Sequence, residues 1–156
     1  SYCIDDSIRE LLSCFSEDKW VSMDESQRYN ALKALATLVG EKLGIKDIPH
    51  IVINNDKECY GAYNHEKNEI SVSGSFISNP IDAVDTVMHE LRHSYQHMRA
   101  EIMENREDLL FKVNQDFYVF PEKLTDGSWL NFHDYYNQYV EVDARAFARM
   151  ITEAML

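Results

Sequence analysis

The chain has 156 residues, 45% hydrophobic and 27% charged, which is long and apolar enough to bury a working core and excludes a disordered segment. Its formal charge of −12 disfavours nucleic acid and anionic membranes as partners, because phosphates reward lysine and arginine. A peptide, a protein or a small molecule remains.

Residues 4–16 carry Ile4, Ile8, Leu11, Leu12 and Phe15 at helical spacing, with Asp5 and Asp6 near the start. A break around Glu17-Asp18-Lys19 leads to a second predicted helix, about 24–43, capped by Ser22 or Asp24 and stopped at Gly44. Neither helix holds a candidate catalytic group, so both read as scaffold. The period then changes. His50-Ile51-Val52-Ile53 is rich in β-branched residues and ends at the Asn54-Asn55-Asp56 turn, while Cys59–Tyr63 reads as a second strand. Glu69-Ile70-Ser71-Val72-Ser73 alternates as a half-exposed strand should, and as the last strand it is expected to offer an open edge to an extended peptide.

Asn79-Pro80 opens a long helix expected to run to about Glu101, with Ile81, Val84, Met88, Leu91, Tyr95, Met98 and Ile102 forming its apolar stripe. A less regular region follows, containing Phe111, Val113, Phe117, Tyr118, Val119 and Phe120, with Pro121 and Asp126-Gly127 as breakers. Its aromatics either wall a cleft or plug the core. A last helix is expected over about Asp134–Ala154. The predicted fold is α+β: a small sheet of about three strands against a central helix and several further helices. No linker or repeat interrupts it, so 1–156 reads as one domain, with 1–47 as helical scaffold and 48–156 carrying the site.

Cys3, Cys14 and Cys59 are odd in number and form no close pairing motif, so free buried thiols are expected rather than a disulfide framework or zinc cluster. No run is long enough to span a membrane and no signal peptide is evident. The expectation is a soluble protein, cytoplasmic or, since it begins at Ser1, a domain excised from a longer and secreted one.

The central helix contains His89-Glu90-Leu91-Arg92-His93, a His-Glu-x-x-His pattern. Two imidazoles four residues apart share one helix face, separated by about 6 Å of rise, and can lean onto one zinc ion. Glu90 then stands beside the metal's water as a general base. A catalytic zinc needs a third protein ligand and keeps one position for water. His97 continues the series but lies roughly 12 Å along the helix from His89, too far for both to reach one ion. The last helix offers Glu141 on one side with Ala144 and Ala148, small residues that let two helices approach. Glu141 is the leading third ligand, with Asp143 and His133 as alternatives. Asp143 points away from Glu141, placed to hydrogen-bond a ligand histidine.

His89-Glu90-Leu91-Arg92-His93 followed by Glu141-x-x-Ala144-x-x-Phe147-Ala148 resembles the gluzincin metallopeptidases, and among them the compact ImmA/IrrE-type minimal zincin domains. Gly61-Ala62-Tyr63 and Ile70-Ser71-Val72 are similar to the strand pair such domains place before the metal helix. The resemblance spans roughly residues 50–155 and implies a zincin-like fold and a zinc peptidase with His89, His93 and Glu141 as ligands and Glu90 as base. It departs at Arg145, where many gluzincins carry Asp or Asn. Similar small domains occur within bacterial secreted effectors or toxins.

The expected chemistry is zinc-dependent peptide-bond hydrolysis of a peptide or protein substrate. Tyr135, Tyr136, Tyr139 and His133 are candidate donors to the oxyanion. Two rivals remain: a zinc-stabilised protein-binding module without turnover, and a metal-free helical interaction domain.

Overall fold

The structure is a computed structural model that describes residues 4–156; Cys3 lies outside the described residues. It is an α+β arrangement of α-helices around a three-stranded mixed sheet. The N-terminal region forms α1 (Asp6–Leu12), α2 (Glu17–Ser22) and α3 (Glu25–Lys42). The expected break at Glu17-Asp18-Lys19 is instead the first turn of α2, whose Trp20 is fully buried and donates to Ile77 O at 2.7 Å. Asp24 is the cap of α3, in a reciprocal capping box with Gln27. Gly44, at φ +81°, ends that helix in the left-handed region glycine favours.

The strands are β1 (His50–Asn54), β2 (Gly61–Asn64) and β3 (Glu69–Ser73), in spatial order β1-β3-β2. β1 runs parallel to β3 with Ile51 opposite Ile70, and β2 runs antiparallel with Tyr63 opposite Ile70. The last strand is therefore central, not the open edge expected of it. The short turn after Asn64 folds β3 directly onto β2, and β1 then adds to the far side. Ile70 and Val72 are fully buried, as a middle strand requires, whereas Ala62 and Asn64 on β2 are exposed. The second strand also starts later than expected. The Asp56 carboxylate accepts from the Glu58 and Cys59 amides at 2.8 and 3.2 Å, holding Cys59 in a loop. Cys59 is exposed rather than a buried thiol, and Cys14 is half-buried.

α4 (Pro80–Ile102) is capped by Asn79, whose side chain accepts from the Ile81 and Asp82 amides. It ends where Met103 takes φ +51°. Its buried face is broader than a single stripe, adding Ala83, Val87, Ser94, Gln96 and Ala100, while Ile81 and Ile102 are exposed. The region expected to be irregular begins with a helix, α5 (Arg106–Asp116). Its start is fixed by the Asn105–Asp108 capping box and by Arg99 of α4, which grips the buried Asp108 carboxylate at 2.7 and 2.8 Å. Leu109, Leu110 and Val113 lie exposed, which blurs its periodicity. The last helix divides into α6 (Phe132–Asn137) and α7 (Tyr139–Glu153), because Gln138 is extended at ψ 153°.

One apolar cluster joins Ile8, Trp20, Leu35, Val72, Met88 and Ile151, so the N-terminal helices, the sheet, α4 and α7 share a core. Among the described residues no helix is long and apolar enough to cross a membrane. β2 presses closely on α4: a Cβ at Gly61 would lie 2.6 Å from Thr86 Cγ2 and 2.7 Å from Ser71 O. The backbone oxygen cannot give way, so Gly61→Ala should lower stability by about 1–3 kcal/mol. Urea unfolding measures this; an unchanged midpoint would mean that β2 does not need the close approach.

Candidate metal centre

Two helices build the centre. α4 presents His89 and His93 one turn apart, their rings 4.9 Å between centroids and nearly perpendicular. α7 presents Glu141 in its first turn, 3% exposed, across an interface where Ala144 and Ala148 are wholly buried. His89 Nε2 lies 3.0 Å from Glu141 Oε1 and His93 Nε2 lies 3.2 Å from Glu141 Oε2. One ligand atom from each of the three falls within 4.8 Å of the others. Donors held about 2.0–2.1 Å from a tetrahedral ion are about 3.3 Å apart, so two imidazole nitrogens and a carboxylate at these separations suit one divalent cation.

These groups satisfy one another. Burial alone would raise the Glu141 pKa, but hydrogen bonds and charge from His89 and His93 hold it well below the usual carboxylate range. Burial alone would lower His93; the Glu141 hydrogen bond and the charges of Glu90 and Glu141 outweigh it and raise the pKa to about 9. Glu90 is half-buried, and its charge acts on His93, Tyr118, Tyr135 and Cys59. Partial burial, with the charges of Glu90 and Asp56, pushes the Cys59 thiol up.

Further residues hold these side chains. His93 Nδ1 is 2.8 Å from Gln96 Oε1, and Gln96 Nε2 donates to Val140 O and Asp143 Oδ2 at 2.9 and 2.8 Å. Arg92 closes bidentately on Asp143 at 2.8 and 3.2 Å. Asp143 therefore neither joins the donor group nor touches a histidine; it acts through Gln96. Arg145, the departure from the gluzincin pattern, lies over the Tyr136 ring, 3.5 Å from its centroid.

Tyr118 is the main residue that sequence reasoning left among generic aromatics. Its hydroxyl donates to Glu141 Oε2 at 2.8 Å, and Tyr135 packs 6.4 Å from its ring. Burial and the Glu141 charge raise the Tyr118 pKa strongly, and burial with the charges of Glu141 and Glu90 raises Tyr135 to about 12. Both phenols therefore stay protonated near neutral pH. Gln138 fixes this wall, accepting from the Val119 amide and the Asn114 side chain and donating to Val119 O. The other donor candidates fall elsewhere. The His133 side chain is 89% exposed beside Asp134, Tyr136 stacks on Phe132, and Tyr139 packs on Phe111.

A cavity of about 350 Å³ opens beside Glu141 and His93, walled by Tyr63, His97, Tyr118, Phe120 and Tyr135. His97 stacks on His65 at 4.1 Å and takes no place in the donor group. Burial and the neighbouring His65 and His93 lower its pKa to about 4, so it is neutral near pH 7. Compared with known protein families, curated proteins and solved structures, the chain shows no match.

These shifts make the metal-free protein sensitive to pH. His93 is raised above its ordinary 6.5, so its stabilising contribution is complete below about 6.5 and lost as pH rises through about 9. Glu141 is depressed, so its contribution is present above about 4.5 and lost as pH falls towards its native value. Urea midpoints of chelator-treated protein should decline on both sides of that window. A midpoint constant from pH 6 to 9.5 would contradict the pairing of His93 with Glu141.

Proposed function

We propose that the protein is a zinc-dependent metallopeptidase in which His89, His93 and Glu141 hold the ion and Glu90 is the general base. The observation that carries this reading is the convergence of two imidazole Nε2 atoms and a buried carboxylate, with the half-buried Glu90 next to His89 on α4. Zinc held by these three residues would supply Lewis acidity towards a carbonyl and activate water near neutral pH. Glu90 takes the proton of the attacking water and returns it to the leaving amine. Tyr135 is a neutral phenol on the cleft and donates to the developing oxyanion, while Tyr118 holds the outer face of Glu141.

An extended peptide suits this cleft. β2 is a sheet edge packed on α4, so its unpaired backbone can align a strand. The aromatic cavity beside His93 has room for one large side chain. A chain of net charge −12 attracts basic peptides in preference to acidic ones.

The test is cleavage of a peptide library by zinc-loaded protein, with and without chelator. Chelation should abolish cleavage. Glu90→Gln should retain zinc and fold while lowering kcat by 10²–10⁴-fold, about the range attributable to a positioned base. Stoichiometric zinc with no cleavage of any peptide would favour a zinc-stabilised binding module; undiminished turnover by Glu90→Gln would remove the base assignment.

A further inference from the structure

Gln96 lies one helical turn beyond His93 and is 1% exposed. Its two polar atoms are not interchangeable here. Nε2 faces Val140 O and Asp143 Oδ2 at 2.9 and 2.8 Å, a carbonyl and an arginine-bound carboxylate that both accept. Reversing the amide would set its oxygen against two acceptors in a buried place, which lone-pair repulsion disfavours. Oε1 must therefore face His93, 2.8 Å from Nδ1, and an amide oxygen only accepts. The His93 proton is thus fixed on Nδ1. In the neutral ring the lone pair then belongs to Nε2, the nitrogen 3.2 Å from Glu141 Oε2.

We infer that Gln96 is a positioning residue that selects the Nδ1–H tautomer of His93 and so commits Nε2 to the metal. Val140 and Asp143 flank Glu141 on α7, so the helix that delivers the third ligand also sets the tautomer of the second. Arg92 completes the chain: it holds Asp143 bidentately and lies between Tyr95 and Phe147, 4.2 and 4.9 Å from their ring centroids. A ligand histidine oriented through its other nitrogen is the general device for stiffening a metal site, and here an amide serves where a carboxylate or backbone carbonyl is commoner. The inference rests on the reading of His89, His93 and Glu141 as metal ligands.

Zinc affinity, read by competition with a chromophoric chelator, separates the possibilities. Gln96→Leu should weaken zinc binding by about 10–100-fold, the usual effect of losing a partner behind a ligand. Gln96→Met keeps the length and packing of the side chain but not its acceptor, and should lose as much affinity as Gln96→Leu. Loss of helix packing alone would spare Gln96→Met. Should Gln96→Leu fail to fold, nitrogen-detected NMR of the unaltered zinc-loaded protein decides: a slowly exchanging proton on His93 Nδ1 is expected. Unchanged affinity in Gln96→Leu or in Gln96→Met, or zinc carried on Nδ1, would overturn the role of Gln96 while leaving the metal site intact. Wild-type protein that takes up no zinc would overturn both.

Discussion

Helices α4 and α7 meet across small residues, and the centre exists because of that contact. Ala144 and Ala148 have no exposed surface, so the two backbones come close enough for the Glu141 carboxylate to lie between two imidazoles of the opposite helix. A larger side chain at either alanine would lever the helices apart, and a shift of an ångström would take Glu141 out of reach of one histidine. The apolar core beneath supports the same spacing: Phe147 and Ile151 of α7 join Met88 and Leu91 of α4 in one cluster. Packing and chemistry are thus the same interface.

Burying so many polar groups is costly unless each finds a partner. Glu141 finds three, in His89, His93 and Tyr118. Gln96, Asp143 and Arg92 form a connected set in which every acceptor faces a donor. Arg99 and Asp108 do the same at the far end of α4, tying α5 to it and carrying the chain back towards Tyr118. This arrangement gives the cleft rigid walls on both sides. Ion pairing between His93 Nε2 and Glu141 joins α4 to α7 at this point.

Local elements were legible where one signal spoke clearly. The Asn79-Pro80 start of α4, the Asp24 cap of α3 and the alternation of β3 all appear in the structure as the residues imply. α5 was hidden because its apolar residues point several ways and only the Asn105–Asp108 box marks it. The α6–α7 break leaves no proline or glycine; it depends on Gln138 reaching back to Val119, a contact that spans nineteen residues. Strand order was illegible for a related reason. Period-2 alternation says that one face is buried, not which neighbour completes the sheet, and the placement of β3 between β1 and β2 is a matter of long-range pairing.

Helical spacing by itself placed His89 and His93 on one face and put Glu141 beside two alanines, since those relations follow from 3.6 residues per turn. It also separated His97 from the pair. Only the folded chain decided that Glu141, rather than Asp143 or His133, comes to the imidazoles, and that Tyr118 leans on its outer oxygen. It also gave Asp143 its route to His93 through Gln96. Apart from the local His93–Gln96 contact, these join residues 23 to 52 positions apart, and no local pattern encodes a distance that depends on how two helices pack.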